Sequence, residues 1–287
     1  MSPEQVRERE SRWALPAALA AFAAVLLLFL PGFVSSVSGS HEAEVLRSIN
    51  AHSGSVTLSS ILQAAAFLLL AFPLAYLFMA ARARSERVLP AVLAIVIAAP
   101  LLVGVGTVLY GQARQEAAET FVAGEAKPTI SKQELKERCE DEKPVAACEK
   151  EKREDDAASN ALSDASLSTP AGILTLGGGL LFAIGLFYTC LWAMRTGLLS
   201  RFWGSLGMAL GIAILLGFVI LAIVWFLYLG LLYLGFLPGG KPPAWEEGKA
   251  VPWQTPGEKA AAELEPSEDV EDEDGSGAEM RKRKQRE

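Results

Sequence analysis

The chain reads as an all-α polytopic membrane protein, and three observations carry that reading. First, five stretches contain no Asp, Glu, Lys or Arg: 13–40, 48–81, 88–113, 165–194 and 202–240. Second, each holds an apolar run long enough to cross a bilayer, which takes ~20 residues at 1.5 Å per residue. Third, none shows the period-2 alternation of barrel strands, and only helices or closed barrels satisfy every backbone group in lipid. The expected architecture is a bundle of five to six spans, an extracytoplasmic helical loop and a disordered tail.

The first run, 13–34, follows Arg7, Arg9 and Arg12 in an N-tail of residues 1–12. It begins as a signal peptide does, and small residues after Val34 would suit cleavage. Its length, beyond the 7–15 residues of a signal core, assigns it to a retained anchor. Residues 35–57 form an outer loop, in which Ser40 to Asn50 reads as a short interfacial helix with Val45, Leu46 and Ile49 on one side. The loop's histidines, His41 and His52, sit eleven apart, which is not a ligand spacing, so no metal site is expected.

The second run, 58–80, carries Pro73. The third, 88–110, has Pro90 in its first turn and Pro100 mid-span, where a kink is expected. A polar loop, 111–170, follows, with 14 acidic and 9 basic residues. Its middle reads as two helices, one capped by Ser131 and one opened by Pro144. Cys139 and Cys148 bracket the turn between them, and outside the cytoplasm such a pair is a disulfide candidate. The third cysteine, Cys190, falls inside the fourth run, 171–194.

The last run, 205–236, is ambiguous. As one helix it would extend about 48 Å, well past a ~30 Å core. It forms either one overlong span or a hairpin breaking near Gly217. Gly207 and Gly211 make a GxxxG face suited to helix packing.

Orientation follows from the short basic connections. Arg82, Arg84 and Arg87 lie in one and Arg195 and Arg201 in another, whereas the loop 35–57 has only Arg47. The N-terminus is therefore expected in the cytoplasm, the protein in the cytoplasmic membrane of a bacterium, with 35–57 and 111–170 outside. Residues 241–287 read as a disordered charged tail ending in a basic cluster, with Trp245 and Trp253 as interfacial anchors or a docking motif.

Three function classes remain. No ionisable residue lies within the runs, no nucleophile–base pair or metal motif accompanies them, and no cofactor or catalytic residue is expected. A non-enzymatic scaffold, sensor or envelope-complex subunit leads, its partners the lipid bilayer and a membrane protein or a second copy, with no nucleic acid. A transporter or channel subunit would need a path lined by Gln63, Thr107, Thr175 and Tyr188. An enzyme acting on lipid would need His41, Glu44 and His52 in one cleft.

The segments RTGLLSRFWGSLGMALG (195–211), WFLYLGLLYLG (225–235) and PGGKPPAWEEGKAVPWQTPGE (238–258) resemble a family of small bacterial multi-pass membrane proteins of unknown function. Members often carry prolines between the last two hydrophobic segments, which implies six spans. This chain lacks them, and the resemblance brings no activity or site residue.

Overall fold

Helix formation follows the apolar runs and outlasts them at most ends. The computed structural model describes residues 2–140, 144–215 and 219–253. Among these it is all-α, with ten helices and no strand. The first, α1 (Pro3–Val34), begins ten residues before the apolar run. Ser2 and Gln5 form a reciprocal capping box, and Pro3 occupies the first helical position, where its missing N–H costs nothing. The N-tail 1–12 is thus almost wholly helical and continuous with the first span.

After α2 (Glu42–Ala51), α3 (Ser53–Arg84) and α4 (Val92–Val122) run through the two middle apolar segments, carrying Pro73 and Pro100 internally. α4 extends twelve residues beyond Tyr110, into what reads from sequence as loop. Then come α5 (Lys132–Arg138) and α6 (Val145–Asp164), with Ser131 accepting the Glu134 N–H and Pro144 at the second N-cap, as their sequence signals predict. α7 (Ser168–Arg195) returns through the bundle.

α8 (Arg201–Leu215) and α9 (Val219–Leu234) answer the question of the last run. In one continuous helix Trp203 and Tyr228 would be ~38 Å apart. Instead their rings stack with centroids 3.8 Å apart, and Trp225 Nε1 donates to the Trp203 carbonyl at 3.0 Å. The chain therefore doubles back as an antiparallel hairpin; the break expected near Gly217 falls outside the described residues.

Helix length limits how many of these elements cross. α1, α3, α4 and α7 have 28 to 32 residues and suit bilayer-spanning helices. α8 and α9, at 15 and 16 residues, reach only ~22–24 Å against a ~30 Å core. Among the described residues four helices are of bilayer length and α8 and α9 form a shorter hairpin, slightly fewer spans than the five or six read from sequence. The hairpin's depth can be read along α7. A Cβ on Gly211 would meet the Ala183 carbonyl at 3.0 Å, so α8 has climbed only about twelve residues of α7 by then. Beyond that level Ile173 and Leu176 of α7 are two-thirds exposed, with no described helix over them.

Packing is cyclic: α1 on α3, α3 on α4, α4 on α7, α7 on α8, α8 on α9, and α9 back on α1. Its core joins Leu74, Leu77, Phe78, Leu186, Trp225, Phe226 and Leu229, all essentially inaccessible. Small residues allow the close approaches. A Cβ on Gly207 would lie 2.5 Å from Cys190 Sγ and 2.7 Å from the Trp225 ring, so Gly207 and Gly211 both seat α8.

Candidate functional site

Three regions concentrate the polar chemistry: a cap at one end of the bundle, a buried ion pair at the other, and a polar cleft beneath the cap.

The cap grows from the helical overhang of α4. Ala113, Ala117 and Ala118 present a flat small-residue face, on which α2 lays Ala43, Leu46 and Ile49 and α6 lays Ala158 and Ala161. The apolar side of α2 is therefore covered by protein, which corrects the expectation that it lies on the membrane surface. Val45, assigned to that side, is only half-buried. Charge fastens the same seam. Arg47 pairs with Glu154 at 2.5 Å and lies over the Phe121 ring at 5.3 Å. Asp155 accepts the Ala43 N–H at 3.1 Å, a carboxylate at the start of α2, where the exposed N–H groups favour it.

His41 meets Glu151 at 3.1 Å and Asp155 at 3.7 Å. The ligand atoms of these three lie within 4.8 Å of one another, a grouping that sequence spacing alone does not reveal because two members are on α6. Asp155 is already engaged by α2, and the cluster ties the start of α2 to α6. His52 instead turns to the Ser48 carbonyl at 3.0 Å, and Glu44 binds Ser40. Hydrogen bonds from Ser40 hold the Glu44 carboxyl below its usual range. His41, Glu44 and His52 thus have separate partners.

Cys139 and Cys148 are joined, with Cα atoms 5.8 Å apart, which staples α5 to α6. The stretch of chain leading into α5 is held by Asp156. Its burial raises the carboxyl pKa, but N–H groups of Ile130 and Thr129, the Thr129 hydroxyl and the Asn160 amide outweigh that and lower it. The N–H bonds are 2.9 Å and 2.5 Å long.

At the opposite end, Glu10 and Arg84 form an ion pair with side chains 7% and 0% exposed. Arg84 Nη2 donates to Glu10 Oε2 at 2.9 Å and to the Ala244 carbonyl at 2.7 Å, and Nε reaches the Ala244 carbonyl at 3.0 Å. Every donor direction of the fork is used, as a buried guanidinium requires. Arg84, read from sequence as an orientation signal, has an enclosed side chain, whereas Arg82, Arg87, Arg195 and Arg201 are exposed.

This pair holds the segment after Gly240. α10 (Pro243–Glu247) inserts Trp245, 7% exposed, beside Tyr76 and Tyr233, with Nε1 donating to the Leu198 carbonyl at 3.0 Å. Val251 N–H donates to the Thr196 carbonyl at 3.1 Å. Gly197, at φ +79°, and Gly248, at φ +66°, permit this contact: a Cβ would strike the Val251 carbonyl at 1.9 Å and the Pro3 carbonyl at 2.4 Å. Residues 241–252 are therefore folded onto the bundle, a correction to the tail boundary. Trp245 docks within its own chain rather than in lipid. The disordered tail expected beyond, 254–287, lies outside the described residues.

The polar cleft, about 290 Å³, opens among the segment just after α1, the first half of α3 and the second half of α4. It includes Gln63 and Thr107, two of the four residues named for a transport path. The others are elsewhere: Thr175 packs against Gly106, and the Tyr188 hydroxyl accepts the Leu89 N–H at 2.8 Å near the far end. A second cleft, about 330 Å³ and mostly apolar, lies between α1, α3 and α4 near Glu10, Trp13 and Tyr76.

Four apolar helices of bilayer length in an all-α fold suit an integral membrane protein. Comparison with protein-family models, with curated proteins and with solved structures returns no match to this chain.

Proposed function

We propose that the chain is a non-enzymatic integral protein of a bacterial cytoplasmic membrane, acting as a scaffold or sensor in an envelope complex. The observation that carries this reading is the construction of the cap. α4 passes unbroken from the bundle to Val122, and its alanine face is the floor of a second core closed by α2, α6 and the Cys139–Cys148 staple. A projecting surface fixed rigidly to membrane helices suits a docking role, and its excess of acidic over basic residues favours a basic protein face as partner. The exposed Arg82, Arg87, Arg195 and Arg201 support a cytoplasmic N-terminus, which puts the cap outside. On this reading α10 is cytoplasmic as well, since it docks beside the start of α1.

A photoreactive residue at Lys150, Arg153 or Ser159, all on α6, tests the reading in intact cells. Protein adducts should form and should diminish when Cys139 and Cys148 are both changed to Ser. No protein adduct from any of the three positions would refute a docking cap. A transporter or channel subunit is the second reading, favoured by the meeting of Gln63 and Thr107 in one polar cleft.

A further inference from the structure

We propose that the polar cleft under the cap is a binding site for a phosphate-bearing anion, with Arg114 as its cationic centre. The inference goes beyond the scaffold reading and does not depend on it. Among the described residues Arg114 is the one charged group in the lining, and it is half-buried. Its sole side-chain partner among them is the Tyr110 ring, 5.9 Å from the guanidinium carbon. The nearest acid on its own helix, Glu116, is taken up by Ser166, through the N–H at 3.1 Å and the hydroxyl at 2.7 Å. Arg114 thus brings five donors and, among the described residues, no carboxylate partner to the cleft, whereas Arg47, Arg84 and Arg138 each hold a carboxylate.

The neighbours supply further hydrogen-bond donors. Gln63, Ser59 and Tyr110 all line the cleft, and among the described residues no side chain of the three is hydrogen-bonded to another protein group. By contrast Ser60 and Thr107 are turned back onto their own helices, donating to the Val56 and Val103 carbonyls at 2.9 Å and 2.8 Å. Three uncommitted polar residues and one cation line a volume that fits a phosphate or a glycerophosphate head. Arg is the side chain best shaped to grip phosphate oxygens in pairs.

Position supports the same chemistry. Gln63 and Thr107 lie ~5–8 Å inside the apolar runs, while Arg114 lies four residues, ~6 Å, past the end of the third, so the cleft lies across the boundary between acyl chains and headgroups. The shared ligand chemistry is a phosphate group, supplied either by a lipid head or by a free anion.

The test uses the full chain purified in a neutral detergent. Bound phosphatidylglycerol is counted by native mass spectrometry, and stabilisation by added inorganic phosphate is followed by thermal unfolding. Wild type should bind one of the two probes saturably. Arg114→Gln should weaken that binding about tenfold or more, the loss of a charged hydrogen-bonding partner, while Arg114→Lys, which keeps the charge but not the paired geometry, should fall between the two. Gln63→Glu, which adds a negative charge to the cleft without touching Arg114, should weaken it comparably. Phosphatidylglycerol binding with phosphate inert assigns a lipid head, and phosphate binding assigns a small anion. Equal binding by wild type, Arg114→Gln and Gln63→Glu, or binding of neither probe, overturns the proposal.

Discussion

Neutralising Glu10 should cost the bundle about 3–5 kcal/mol, the usual penalty for stranding one partner of a buried ion pair. The figure needs no reduction for solvent screening, since the side chains of Glu10 and Arg84 are 7% and 0% exposed. Glu10→Gln leaves Arg84 its carbonyl acceptors at Ala244 and Ala80 but no counter-charge. Arg84→Met strands Glu10 instead and removes both hydrogen bonds to Ala244, so it should release α10. The double variant strands no charge and should recover part of the loss, with a coupling of about 2–4 kcal/mol. A direct assay introduces Ala244→Cys, at a fully buried position, and follows maleimide labelling of that thiol in detergent. If opening of α10 limits labelling, 3 kcal/mol corresponds to roughly a hundredfold faster reaction for Glu10→Gln. Single-variant effects that simply add in the double variant would refute the argument. So would unchanged labelling of the introduced thiol when Arg84→Met is combined with Ala244→Cys.

Other perturbations test other parts of the account. Gly207→Leu drives a side chain into Cys190 and Trp225 and should destabilise by about 1–3 kcal/mol or more, read as an earlier melting transition. Gly197→Val combines a left-handed φ with a clash against the Val251 carbonyl, so protease cleavage near Lys249 should accelerate while the melt of the bundle changes little. Cys139 and Cys148 should resist maleimide until reduced; the closed loop contributes about 2–3 kcal/mol by chain entropy, felt at α5 rather than in the bundle. Asp156 has a folded pKa below its unfolded value, so its contribution is complete above about pH 4 and lost as pH falls through the folded pKa. Hydrogen-exchange protection of the Thr129 and Ile130 amides should therefore fall on acidification, and Asp156→Asn should show the low protection at every pH.

What sequence reveals here tracks the range of the interactions responsible. The long spans are legible because bilayer thickness acts on contiguous residues, and α5 and α6 because Ser131 and Pro144 act within one turn. The start of α1 is also signalled, by the S-x-x-Q box at Ser2 and Gln5, but alternating Arg and Glu read more readily as a tail. Glu10 cannot be recognised as buried because its partner lies 74 residues away. The periodicity of α2 announces an apolar face without saying what covers it, since Ala113, Ala117 and Ala118 read as loop. Trp245 is interior only because Tyr76 and Tyr233 form its seat, a contact no local pattern encodes. The polar cleft needs three helices, and only Gln63 and Thr107 stand out in the sequence; Arg114, one turn into an unforeseen extension of α4, does not.

The central claim is an integral membrane protein whose two ends of the bundle face opposite compartments, with the cap on one side and α10 beside the start of α1 on the other. Its most direct test is a sidedness pair: one reporter inserted after Gly124, at an exposed turn of the cap, and another fused after Glu287, each active in a single compartment. The account predicts an extracytoplasmic signal from the cap fusion and a cytoplasmic signal from the terminal one. Both reporters on the same side of the membrane would contradict it.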